Sequence, residues 1–269
     1  MKPAICIEML FPGVSPAEKI RRIARHGFRH MEFWGHGDKD IVGIQAACAD
    51  TGSAIVNFSG NRAGDLIDPA THGTVLREIR ESIKVARRLG TGTLMVLSNE
   101  LGDQGRVVHY LEEWTPAEKR AALIDGLRML MNEVPPGMRI VLEPLNTVLD
   151  HVGNFLSSTE EAAAIVKEVG DRRLGILCDF YHMAMMGEDP VATATRFTSL
   201  IGHVHVADYP GRHEPGTGKG PWKDTLRALR EGGYEGFVGF EFSPAGDSDA
   251  ALESIGTLWK DAAEERRAT

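Results

Sequence analysis

The chain has 269 residues, 42% of them apolar and 25% charged, and a formal net charge of −8. That length holds one α/β barrel of about 250 residues with a core of ordinary size. The acidic balance, with no run of more than two Lys or Arg, argues against a nucleic-acid or membrane partner, because binding their anionic surfaces draws on clustered cations.

The first segment, MKPAICIEMLFPG, carries one Lys and too short an apolar run for a signal peptide. Its PAICIE stretch reads as a strand that ends near Glu8. Ser15-Pro16-Ala17-Glu18 combines an N-cap, a proline at the first helical position and a glutamate three residues after the cap, and Gly27 marks the stop. HMEFW and AIVNFS are strand-like and end near Glu32 and Asn57. Residues 73–90 have helical periodicity, and TLMVLS then ends near Ser98. Thr115-Pro116-Ala117-Glu118 repeats the earlier helix start. RIVLEP ends near Glu143, a helix runs from about Ser158 to Gly170, and GILCDF ends near Asp179. Asp189-Pro190 opens another helix, HVHVAD ends near His205, GFVGFEF ends near Glu241, and 248–265 is helical with a charged outer face.

These are eight strand-like runs, several apolar nearly throughout, as parallel strands covered on both sides must be. Their spacing of roughly 25–45 residues is that of a strand–helix unit. Eight such units predict a (β/α)8 TIM barrel, as a single domain over 1–269. An open doubly wound sheet is the alternative, weakened by the lack of any GxGxxG or GxxxxGK[ST] after a strand. The three cysteines, Cys6, Cys48 and Cys178, form no CxxC pair and point to a reducing compartment. With no apolar run long enough to span a membrane, a cytoplasmic protein is expected.

In a barrel the chemistry sits at the C-terminal ends of the strands. Glu143, Asp179, His205 and Glu241 come from the last four strands, which would be neighbours. Three carboxylates and one imidazole suit a divalent ion, with Mn2+ expected and Mg2+ or Co2+ also compatible. The bland alternative is a salt-bridge ring at the barrel mouth. Glu143 and Glu241 can face each other across the ion, one removing a proton next to a carbonyl and the other returning it. His182 is expected at the start of the loop after strand six, where it can bond a substrate oxygen or orient a metal ligand. Arg212 lies in a Pro- and Gly-rich loop, Pro210 to Gly218, and can clamp a carboxylate or a pair of hydroxyls. That loop resembles a phosphate cradle only weakly, since no helix start is read immediately after it. Glu8 and Glu32 line the pocket floor or anchor loops, with the structural reading preferred; His203 is read as structural and Cys178 as facing the helices, and Trp34, Phe33, Phe58 and Phe242 near the strand ends either wall the cavity or, more commonly for such places, simply pack.

The motifs LEPLN at 142–146, CDFYHM at 178–183, GHVHVADYPGRHEPGTG at 202–218 and GFEFSP at 239–244 resemble the xylose-isomerase-like TIM-barrel superfamily, and within it the hydroxypyruvate isomerase group. The likeness is sharp over about 140–244 and only general in the first half. It implies interconversion of hydroxypyruvate and tartronate semialdehyde through an enediolate. Glu143 and Glu241 would serve as metal ligands and acid–base pair, Asp179 and His205 as the other ligands, and His182 and Arg212 as substrate contacts. The chain departs from the group at His205, where those isomerases often carry Gln and tagatose 3-epimerase-type enzymes carry His. Gly218-x-x-Pro221-Trp222 also resembles the epimerase pattern. Those epimerases use a Glu six residues after the first metal glutamate, where this chain has Leu149, with Asp150 one beyond. A ketose 3-epimerase or related sugar isomerase is therefore the alternative function. The partner is a small hydroxy-oxo acid or a ketose, and a homo-oligomer is compatible by analogy alone. Apurinic endonucleases on this barrel use three zinc ions and extra histidines, but the third and fourth strands here end at Asn57 and Ser98.

Overall fold

The structure, a computed structural model, describes residues 1–268, with side chains through 262; Thr269 lies outside the described residues. Eight parallel strands close into a barrel in sequence order. They are β1 (Lys2–Cys6), β2 (His30–Phe33), β3 (Ala54–Ser59), β4 (Thr93–Leu97), β5 (Arg139–Glu143), β6 (Leu174–Asp179), β7 (Ile201–Val206) and β8 (Phe237–Phe240). The closing pair, β1 with β8, sets Lys2 opposite Phe237 and Ile5 opposite Phe240, which rules out the open sheet.

The helices are α1 (Pro16–Arg25), α2 (Ile41–Thr51), α3 (His72–Leu89), α4 (Pro116–Glu133), α5 (Thr159–Val169), α6 (Phe180–Met185), α7 (Pro190–Phe197), α8 (Trp222–Glu231) and α9 (Ser248–Ala268). The expected start chemistry operates where it was read. Ser15 accepts from the Glu18 amide, and Thr115 and Glu118 complete a reciprocal capping box. Gly170 takes the left-handed conformation that ends α5.

The main apolar core lies between barrel and helices, and Cys178 belongs to it. A second cluster, Met95, Leu97, Val141, Leu145 and Leu177, fills the β4–β6 side of the barrel interior. The opposite side of the interior is polar, with Glu32, Asn57, His203 and His205 all buried. No helix among the described residues is long and apolar enough to cross a membrane.

Candidate active site

Strand register sets the height of each functional side chain. Asp179 lies opposite His205, and His205 opposite Gly239, two residues before Glu241; on the other flank Leu97 lies opposite Glu143. Residues two apart on a strand share a face. Glu143, Asp179, His205 and Glu241 therefore enter one layer, and each offers a ligand atom within 4.8 Å of the others. All four are buried. The clustering expected from the four strand ends is what the barrel produces.

Each member is oriented by something beneath or beside it. Asp179 caps α6: its Oδ1 accepts from the amides of Tyr181 (2.8 Å) and His182 (3.1 Å). Its Oδ2 is left facing His205 Nδ1 at 3.9 Å. His205 Nε2 meets Glu32 Oε2 at 3.1 Å, and His203 Nε2 meets the same oxygen at 2.8 Å. This bond commits Nε2 and turns Nδ1 toward the three acids. Nδ1 is buried without a well-formed hydrogen bond, and the nearest acid oxygen, Glu241 Oε2, lies 3.2 Å away. Gly239 makes the arrangement possible, because a Cβ there would collide with the Glu32 carboxylate and stand 2.8 Å from His205 Cδ2. Glu241 is gripped by the Trp34 indole N–H on one oxygen and by Arg212 Nη2 on the other, at 3.0 Å. Glu143, which lines the pocket, makes no side-chain hydrogen bond among the described residues.

Burial and charge split the acids. Burial, with Glu241 and Asp179 nearby, pushes Glu143 well above the ordinary carboxyl range, against the pull of His205. Asp179 is raised to about 6, again by burial first, with Glu241 adding to it. Burial would raise Glu241 too, but the Arg212 guanidinium and His205 hold it well below its usual value. Burial disfavours the imidazolium of His205, yet Glu32 and Glu241 together raise it well above normal. Glu32 is brought down to about 2 by His203 and His205 despite burial. In the metal-free cluster Glu143 is thus pushed toward its protonated form while Glu241 is held toward its ionised one.

Three carboxylates and an unpartnered imidazole nitrogen in one buried cluster are a donor set that can hold a divalent ion. Glu32 would then be the group behind the imidazole, fixing its tautomer.

A pocket of about 410 Å3 opens over this layer, walled by Trp34, Met95, Leu97, Leu145 and His151, with His182 and Arg212 at its edge. Trp34 is the aromatic that faces the site; Phe33 and Phe58 stack on each other at 4.9 Å in the core, and Phe242 is buried. Glu8 holds the Trp34 loop, accepting from the Trp34 amide (2.8 Å) and pairing with Lys39 (2.8 Å).

Two expectations need correction. His182 does not sit on a loop; it lies in α6, with Nε2 3.6 Å from Asp179 Oδ2 and 3.5 Å from Arg212 Nη2. A helix start does follow the Gly-rich loop, since α8 begins at Trp222. The loop still cradles no outside anion, because Asp208 occupies its centre and accepts from the amides of Tyr209 (2.9 Å), Gly216 (2.8 Å) and Gly220 (2.8 Å). Arg212, carried by this loop, spends its charge on Glu241 and lies 5.2 Å over the Tyr181 ring.

Residue-by-residue reading missed the role of Asn146. Its Oδ1 accepts from the Leu149 and Asp150 amides, each at 3.1 Å, so its NH2 group faces His182 Nδ1 (2.7 Å) and Asp150 Oδ2 (2.7 Å). The Tyr181 hydroxyl also donates to Asp150 Oδ2, at 2.8 Å. Its only signal was the place of Asn146 in the LEPLN motif. Asp150 faces the pocket while Leu149, at the position of the epimerase Glu, is 59% exposed to solvent.

Residues 20–262 match the family described as xylose isomerase-like TIM barrel. The chain belongs to that family. Within this xylose isomerase-like family it is 27% identical to the hydroxypyruvate isomerase of Escherichia coli over 259 residues, covering 91% of this chain and 95% of that one. It is 30% identical to the 2-oxo-tetronate isomerase of Cupriavidus necator over 151 residues, 54% of this chain and 58% of that one. Among solved structures, the crystal structure of AP endonuclease, family 2, from Brucella melitensis superposes with a TM-score of 0.85 at 24% identity, covering 96% of this chain and 99% of that one. At that identity the likeness speaks for the fold alone. With its family and its isomerase relatives, this xylose isomerase-like barrel is an enzyme of the isomerase class.

Proposed function

We propose that the protein interconverts hydroxypyruvate and tartronate semialdehyde, or a hydroxy-oxo acid of similar size, with Glu143 and Glu241 moving the proton. The observation that carries this reading is the pair itself: two buried glutamates, Glu143 and Glu241, brought from separate strand ends into one cluster with Asp179 and His205, each offering an oxygen within 4.8 Å of the other ligand atoms. The relatives named above act as isomerases of such acids, which fits.

Glu143, Asp179, His205 Nδ1 and Glu241 would hold a divalent ion, with Mn2+ favoured by the oxygen-rich donor set. When bound, such an ion supplies polarisation of the adjacent carbonyl and hydroxyl oxygens of the substrate, which stabilises an enediolate. The proton leaves C3 of hydroxypyruvate for a carboxylate oxygen of one glutamate. The hydroxyl proton passes from O3 to O2, and the second glutamate delivers a proton to C2, giving the aldehyde at C3. His182 is kept neutral by burial and by the Arg212 charge beside it. With Asn146 donating to its Nδ1, the ring proton lies on Nε2, 3.6 Å from Asp179 Oδ2, and this N–H would be the donor offered to a substrate oxygen. Arg212 holds Glu241 in place, and Trp34 closes the wall above it.

A ketose 3-epimerase is the second reading, favoured by Asp150 turned into the pocket and by His205 in the cluster. Turnover of hydroxypyruvate, fructose, tagatose and ribulose by metal-stripped and Mn2+-reconstituted enzyme decides between the two. We expect hydroxypyruvate turnover that chelation removes and Mn2+ restores. Glu143→Gln and Glu241→Gln should each lower kcat by about 10²–10⁴-fold with an unchanged circular dichroism spectrum. Strong ketose turnover without any on hydroxypyruvate would sink the first reading.

A further inference from the structure

A hydroxy-oxo acid brings a carboxylate into a site that has no charge left for it. In the reading above, a divalent ion and Arg212 balance the three carboxylates of Glu143, Asp179 and Glu241. Arg212 is already within 3.0 Å of Glu241 Oε2 and is half-buried against it. An added carboxylate in a half-enclosed pocket needs another cation, because an uncompensated charge there is strongly disfavoured.

One arginine besides Arg212 lines this pocket, Arg62. It stands on the loop between β3 and α3 and lines the same pocket as Glu143, Glu241 and Trp34. Its side chain makes no hydrogen bond or ion pair with another described residue; Asp38 feels its charge only as a minor influence and is itself bonded to Lys39 at 3.1 Å. Asp150, the acid deeper in the pocket, is taken up by Asn146 and Tyr181.

The placement is built rather than incidental. Asn61 is buried, and its side chain pairs with Leu97 from both ends, accepting from the Leu97 amide (3.1 Å) and donating to the Leu97 carbonyl (3.3 Å). Ser59 Oγ donates to the Asn61 carbonyl at 2.8 Å. The backbone next to Arg62 is thereby fixed to the pocket wall. On the other side, the stem of Arg62 runs over Gly35, where a Cβ would stand 3.4 Å from Cγ and 3.7 Å from Nε. Gly35 follows Trp34, whose indole touches Glu241, and Arg62, itself exposed to solvent, lines the pocket together with both.

We propose that Arg62 is the receptor for the substrate carboxylate and the residue that selects hydroxy-oxo acids over uncharged ketoses. The proposal rests on the hydroxy-oxo acid reading of the site. A guanidinium suits it because its planar fork pairs with a carboxylate through two hydrogen bonds.

Titration calorimetry of D-glycerate, an unreactive hydroxy acid, against the Mn2+-loaded wild type, Arg62→Gln and Arg62→Lys tests it without relying on turnover. Glycerate should bind about tenfold more weakly to Arg62→Gln, the value of one partly solvated charge-assisted pair, and within about threefold of wild type to Arg62→Lys. For hydroxypyruvate, KM of Arg62→Gln should rise by a similar factor while kcat moves much less, because Arg62 holds the end of the substrate that does not react. The assignment is overturned if wild type does not bind glycerate, if Arg62→Gln binds it as wild type does, or if Arg62→Lys is no better than Arg62→Gln. A wild type that binds glycerate through Arg62 but does not turn over hydroxypyruvate would instead refute the reaction and leave the carboxylate receptor standing.

Discussion

Asn146 shows how one amide sets the chemistry of a neighbour. Two backbone N–H groups claim its Oδ1, so its NH2 must face His182 Nδ1, which becomes an acceptor. The proton of the neutral imidazole then resides on Nε2, facing Asp179 and the pocket edge. Asn146→Asp would put a carboxylate oxygen against Nδ1, draw the proton to that nitrogen and leave Nε2 unable to donate. We expect the ring-nitrogen NMR signals of His182 to exchange their protonated and unprotonated identities in this variant, and kcat to fall by about 10–100-fold. Unchanged nitrogen signals would show that Asn146 does not set the tautomer. The acids and His205 were legible in the sequence because each closes an apolar strand. Asn146 and Arg62 lie on loops, where no periodicity marks a residue's direction. Glu32 was read as structural, and the structure sets its carboxylate against His205 Nε2 at 3.1 Å, in the space that Gly239 leaves open.

At the scale of elements, the loop between β7 and α8 is organised around Asp208. Burial alone would raise this carboxyl, but the amides of Gly220, Gly218 and Gly216 outweigh burial and hold it below its ordinary value. Gly218 is required for that approach, since a Cβ there would stand 2.6 Å from Asp208 Oδ1. A carboxyl depressed by folding adds stability above its unfolded value of about 3.9, and that stability is lost as pH falls through the folded value. Asp208→Asn turns amide hydrogens or an uncharged oxygen toward the loop N–H groups. Urea unfolding should show it about 2 kcal/mol less stable than wild type at pH 7, with the gap closing below about pH 4. Equal stability at pH 7 would mean the carboxylate is not what organises the loop. The helices that carried clear start signals, α1, α4, α5 and α7, were readable. Three others were missed, each for its own reason. α8 follows Pro221 without a side-chain cap. α6 is six residues long and is capped by Asp179, which the strand reading had already used. α2 buries only Ile44 and Ala47 while exposing Val42, so its apolar residues do not form a stripe.

The whole molecule is coupled to the cluster through protons. Without a metal ion, burial and mutual repulsion raise Glu143 and bring Asp179 to about 6, and Glu32 and Glu241 raise His205. The sign is the same for both kinds of group. A carboxyl raised by folding is ionised more readily in the unfolded chain, so it destabilises the fold as pH climbs from the ordinary carboxyl value through the raised one. A histidine raised by folding contributes stability below its ordinary value, and that contribution is lost as pH rises through the folded value. Glu32 and Glu241 run the other way, but both are held low and stay ionised above about pH 5. Asp179 should therefore cost the metal-free protein stability between about pH 4 and pH 6, with Glu143 and His205 acting in the same direction and the buried neutral His182 opposing them. An ion held by the cluster must displace the protons of Asp179 and His205 Nδ1, so its affinity rises with pH as those groups would otherwise be protonated. Mn2+ at a hundred times its Kd would stabilise the fold by about 2.7 kcal/mol, a rise in Tm of about 5 °C or more. Scanning calorimetry should show this rise at pH 7.5, a smaller one at pH 5.5 with the same Mn2+ concentration, and none in Asp179→Asn at either pH. Calorimetric titration of Mn2+ in buffers of different ionisation enthalpy should register net proton release. A Tm rise of equal size at both pH values, or one that survives in Asp179→Asn, would place the ion elsewhere on the molecule.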